Sequence, residues 1–238
     1  MYLLVFIRQI FNLKLFNTFL LFIIGFNFYA QRVEKDDETS VFLTTIWSCS
    51  NRIIEPNDGF FGEPLGYRIN ENKLSNWSFS LGFRSKIHKN IAWEGAISYL
   101  RNGESYLYED LDTLYSYESQ YSYIAVPLKI FFTYGDNIRL LVGGGILPQM
   151  FTGFKQNIES EDSNNVILKE ELKTKIGYNS FVASIACNLG VQFNLVNSWS
   201  ILLLPEYRLQ LMSSLHRNAA YKHRAYSLGG HIGFVFEL

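Results

Sequence analysis

From Phe181 onward the chain alternates strictly. Odd positions carry Phe181, Ala183, Ile185, Cys187, Leu189, Val191, Phe193 and Leu195, and even ones carry Val182, Ser184, Ala186, Asn188, Gly190, Gln192 and Asn194. A period of two is a strand pattern, because successive side chains point to opposite faces. The same split recurs over 77–87, 91–99, 120–134, 199–211 and 226–238. It is weaker over 138–149, built around Gly143-Gly144-Gly145, and weakest over 41–48. The pattern therefore predicts eight strands.

The links between them alternate in length. Those after the second, fourth and sixth strands are short, at 88–90, 135–137 and 196–198, and the others are long, at 50–73, 102–118, 152–177 and 213–222. Tight turns at one end and longer loops at the other are the plan of a transmembrane β-barrel. A soluble sandwich also alternates, but it turns a charged face to water. Here the polar faces carry mostly Ser, Gly, Asn and Ala, which fit the crowded inside of a small barrel. The expected fold is all-β, an eight-stranded antiparallel up-and-down barrel over 41–238, with both termini at the short-turn, periplasmic end. Pro127 and Pro205 fall inside strands, where each removes a ladder donor, so both are expected to sit at bulges or beside a finished partner.

The first thirty residues differ. Arg8 and Lys14 precede an almost wholly apolar run over 15–29, which ends at Tyr29-Ala30-Gln31. This is the layout of a signal peptide, 1–30, cut after Ala30, with an uncleaved anchor as the alternative. Residues 31–40 then form a short periplasmic segment. No later segment has the roughly 18 uncharged apolar residues of a membrane helix. A formal charge of −1 gives no reason to expect a nucleic-acid partner. The aromatic content of 16% suits a membrane interface. Cys49 and Cys187 fall on non-adjacent strands and are read as small hydrophobes.

The last residues, His231-Ile232-Gly233-Phe234-Val235-Phe236-Glu237-Leu238, resemble the β-signal read by the barrel-assembly machinery. His231, Gly233, Phe236 and Leu238 fill its four places, with Leu at the end where Phe is commoner. Further in come Leu81-Gly82-Phe83, 93–99 (WEGAISY), 123–129 (YIAVPLK), 142–145 (VGGG), 189–193 (LGVQF) and Glu206-Tyr207-Arg208. Their order resembles the PorT-like outer-membrane β-barrel family of Bacteroidetes over 74–238, although the first strand lacks the glycines usual there. The resemblance implies an outer-membrane location, with outer-membrane lipids and the assembly machinery as partners. It implies no single activity; the namesake takes part in type IX secretion.

Candidate chemistry is sparse. His88 falls in a short turn, His216 and His223 near the fourth outer loop, and only His231 on the inner face. A lipid-modifying barrel enzyme needs a His beside a Ser and an acid facing the lipid, and His231 has no such set. No Cys/His cluster has metal-ligand spacing, so no catalytic, cofactor or metal residue is assigned. Arg84, Lys86, Glu94, Lys129, Glu206, Arg208 and Glu237 share the inner faces, so paired charges are expected to plug the lumen, with a selective ion path as the alternative. The loop 104–118 mixes Tyr106, Tyr108, Tyr115 and Tyr117 with five acids, which reads either as a binding loop or as strand rising above the membrane. The loop 152–177 is acidic, with some β-structure near its base. The expected role is non-enzymatic binding or envelope support by the outer loops. A secretion accessory and a lipid-modifying enzyme follow as the second and third readings.

Overall fold

A computed structural model describes residues 39–57, 70–110, 113–161, 167–195 and 198–238. The expected signal peptide, and all of 31–40 except its last two residues, lie outside the described residues. Ten strands form one antiparallel sheet: β1 (Thr39–Pro56), β2 (Glu71–His88), β3 (Ile91–Asp110), β4 (Thr113–Ala125), β5 (Leu128–Tyr134), β6 (Ile138–Glu161), β7 (Ile167–Thr174), β8 (Phe181–Asn194), β9 (Trp199–Gln210) and β10 (Tyr221–Glu237). The pairings run around a ring, and β10 returns to β1 from Ser40 opposite Glu237 to Pro56 opposite Tyr221. The sheet is therefore closed and has no edge within the barrel. β4 and β5 both lie between β3 and β6 and make one stave, while β7 pairs only with β6. Ten segments thus build the eight expected staves and one added strand.

The alternation fixes which face is which. In β8, Asn188 and Gln192 are 4% and 1% exposed, whereas Phe181 and Leu189 are 52% and 58% exposed. The apolar set faces out and the polar set faces in, the reverse of a soluble sheet. Outward apolar side chains run from Ile91, Phe132 and Trp199 at the short-turn end up to a tier formed by Tyr99, Ile124 and Met150. The eight residue steps from Ile91 to Tyr99 give this band a height of about 20 Å from strand rise and tilt. Trp47 faces Trp77 near its upper limit.

Pro127 lies at the break between β4 and β5 and Pro205 lies within β9, and register is constant across both, without the expected bulge or ended partner. Ala125 is opposite Gln149 and Leu128 opposite Ile146, so register continues across Val126-Pro127. Pro127 still accepts a bond from Ala96 N at 3.1 Å, and Val126 N donates to Pro148 O at 2.9 Å. Only the proline donors are lost. Pro205 likewise marks a gap between Asn188–Glu206 and Val191–Leu203, with no slip. The register shifts lie elsewhere, between Lys73 and Phe79 and between Lys86 and His88 of β2, and around Thr152 of β6. At the first of these, inward serines replace ladder partners: Gly103 N donates to Ser50 Oγ at 2.7 Å and Arg101 N to Ser78 Oγ at 3.0 Å.

Glycine is needed where strands crowd. A Cβ on Gly145 would lie 2.0 Å from Leu128 O, so β5 and β6 could not pair there. Gly135 takes φ +101° in the turn between them, a conformation that L side chains rarely adopt.

The long links are largely strand. β3 and β4 continue pairing to Asp110 opposite Thr113, so 102–118 is a tall hairpin. β6 rises to Glu161 beside it and carries β7. β1 starts at Thr39, two residues before the expected strand, and runs to Pro56.

Candidate functional site

The inward faces converge on a lumen occupied by layers of charged and apolar side chains. At the short-turn end Arg139 meets Glu237 at 3.3 Å, beside Lys86, Ser40 and Thr133. Above it the Arg84 guanidinium, on β2, donates to Glu94 of β3 at 2.7 and 3.2 Å and to Gln192 of β8 at 3.1 Å. That guanidinium also lies over the rings of Phe42 and Phe131, at 5.8 and 5.0 Å. The next group centres on Glu206 of β9. It accepts from Lys129 Nζ at 2.7 Å and Asn188 at 3.2 Å, meets His231 Nε2 at 3.0 Å, and has Arg208 at 3.5 Å. Arg208 donates in turn to Asn102 at 2.9 Å. Four strands are thereby cross-braced through one carboxylate. Apolar layers separate the charges, with Phe42, Phe131, Leu141 and Leu202 low and Ile46, Leu100, Tyr123 and Leu147 high.

All seven charged residues assigned to the inner face are found there: Arg84, Glu94, Lys129, Glu206, Arg208 and Glu237 in ion pairs, and Lys86 beside Arg139 and Glu237. The histidines need one correction. His231 is not alone on the inner face: His223, beside the fourth outer loop, lies on β10, 2% exposed, and faces inward too. Lys222 and Arg224 flank it and give the segment a loop-like composition. The usable signal was its parity, odd like Ala225, Ser227 and His231.

His223 belongs to a third cluster above the apolar band. Arg52 reaches Glu71 at 2.7 Å and Glu104 at 3.2 Å, and donates to Tyr117 Oη at 3.1 Å. Tyr121 donates to Glu104 at 3.0 Å, and His223 Nε2 stands 4.0 Å from it. Pairing between β1 and β2 stops at Ser50 and Leu74, so Arg52 clasps the two lips where the ladder ends. Burial pushes the Glu104 carboxyl up to about 7, with the Arg52 charge pulling against it. Burial and the neighbouring Glu104 also raise the Tyr121 phenol well above its ordinary range.

Over this cluster stands the inner face of the tall hairpin. Tyr106 stacks on Tyr117 with centroids 5.2 Å apart, and Tyr115 meets both edge-on at 6.2 Å. Beside them Leu168 and Leu172 of β7 are exposed. Cys49 and Cys187 are free and point outward. Among the described residues, no three His, Cys, Asp or Glu side chains converge as a metal site.

No family model matches the chain. No curated protein sequence matches it. Similar solved structures include Ail, the attachment invasion locus protein of Yersinia pestis, at 17% identity over 84% of this chain and 99% of that one, with a TM-score of 0.35. Neisserial surface protein A is 10% identical over 86% and 100%, with a TM-score of 0.40. OprG from Pseudomonas aeruginosa is 11% identical over 86% and 97%, with a TM-score of 0.45. The barrel assignment rests on this chain's own closure and faces.

Proposed function

We propose that this chain is a non-enzymatic outer-membrane barrel, closed to flow, whose tall outer hairpins bind a partner or support the envelope. The inverted faces carry this reading: a band of outward apolar side chains surrounds a lumen of buried, paired charges. Only a hydrocarbon surrounding makes that distribution favourable. Both ends of the described chain lie at the short-turn side, which supports a periplasmic position for them. His231 is engaged with Glu206 inside the lumen, away from lipid, which supports a role in bracing rather than catalysis.

Replacing 106–117 by a two-residue turn tests the hairpin. The trimmed protein is expected to fold but to leave a deletion strain sensitive to detergent. Full rescue by the trimmed protein contradicts the reading. The PorT-like resemblance favours a second reading, an accessory of type IX secretion, and a deletion strain that secretes such cargo normally removes it. Altered lipid A in that strain would instead favour a lipid-modifying enzyme.

A further inference from the structure

The outward face of β3, β4, β6 and β7 rises in tiers. Tyr99, Ile124 and Met150 stand side by side as the last apolar row. Directly above them come Arg101, Ser122 and Gly153, and Lys175 reaches over Gly153, its Cε 4.0 Å from where a Cβ would stand. The next tier is Gly103, Gln120, Lys155 and Lys173. One tier is two residues of tilted strand, about 5 Å. The first cations therefore lie at the depth where lipid phosphates begin.

The charges here are poorly balanced. Lys155 and Lys173 are directly opposite, an unfavourable pairing on one face. A single carboxylate, Glu171, bridges them, at 3.2 Å from Lys155 and in contact with Lys173. Among the described residues, Arg101 and Lys175 have no carboxylate partner; Arg101 packs over the Tyr99 ring at 5.1 Å. A Cβ at Gly153 would meet only Lys175 Cε within 4 Å, so the space between the cations is open at that position.

We propose that Arg101 and Lys175, with Lys155 and Lys173 above them, bind the phosphate groups of an anionic lipid in the outer leaflet. This rests on the membrane reading above. The apolar row below takes the acyl chains, the guanidinium offers paired donors to phosphate oxygens, and lysine supplies point charge.

The test uses the purified protein inserted into phosphatidylcholine vesicles with or without phosphatidylglycerol. Insertion is scored first, by slower or faster gel migration on boiling. Lipids retained after detergent extraction are then counted by native mass spectrometry. Wild type is expected to retain phosphatidylglycerol preferentially. Arg101→Gln and Lys175→Gln are each expected to reduce that preference about fivefold. Lys169→Gln, higher up and paired with Glu159, is expected to leave it unchanged. Insertion with no preference, or a preference that survives both substitutions together, overturns the site alone. Failure to insert in either vesicle overturns the membrane reading and the site with it. Loss of retained lipid in inorganic phosphate, but not in chloride of equal ionic strength, assigns the cations to free phosphate and overturns the lipid assignment.

Discussion

Glu206 illustrates how few residues hold the lumen together. It faces Lys129, Asn188, His231 and Arg208 at once, so its removal strands two cations and an imidazole. Glu206→Leu is expected to cost about 3–5 kcal/mol, the usual penalty for breaking a buried ion cluster from one side. Lys129→Met should cost less, since His231 and Arg208 still face the carboxylate. Urea unfolding in detergent micelles checks the ranking, and equal costs would contradict it. Glu104 makes a pH prediction. Its carboxyl is raised to about 7 by burial, above its ordinary 4.5. Between those values the folded chain holds a proton that the unfolded chain releases. The contribution is thus fully present below 4.5 and lost as pH rises through about 7. Unfolding midpoints across that window should fall for wild type, and the fall should vanish in Glu104→Gln. An identical slope in the variant would assign the effect to another group.

Strands were legible wherever one face was lipid-apolar, because alternation needs only the side-chain period and not the identity of the surrounding solvent. Sparse charge on the polar faces separated lumen from water. The hairpin over 102–118 reads equally as loop or strand in the sequence because its composition is polar and acidic. Its signal was in phase, Tyr106 with Tyr108 and Tyr115 with Tyr117, one pair on each side of the tip. A missing proline donor suggests a bulge or an ended partner, but a closed ladder keeps its register through neighbouring bonds. The inner clusters were legible as residue types but not as partners, since pairing across the lumen joins strands distant in sequence. Adjacent glycines in β10 give a sharp test of crowding. A Cβ at Gly229 would lie 2.3 Å from Trp47 O, whereas at Gly230 the nearest atom is 3.8 Å away. Gly229→Ala should destabilise by about 1–3 kcal/mol, and Gly230→Ala should stay within about 0.5 kcal/mol. The same unfolding assay decides, and a reversed order would mean that β1 and β10 pair differently.

Taken together, the parts divide the labour by height. In the proposed function the band holds the chain in the bilayer, the charged lumen seals it, and the Arg52 clasp with its tyrosine-faced wall forms the outer surface. A sealed lumen predicts no steady single-channel current in planar bilayers, and a reproducible ohmic conductance would contradict the seal. The most direct test of the central claim is cell fractionation with gel migration before and after boiling. The protein is expected in the outer-membrane fraction, with a mobility that shifts on boiling as the closed barrel opens. Recovery in the soluble periplasmic fraction, with no such shift, would contradict it.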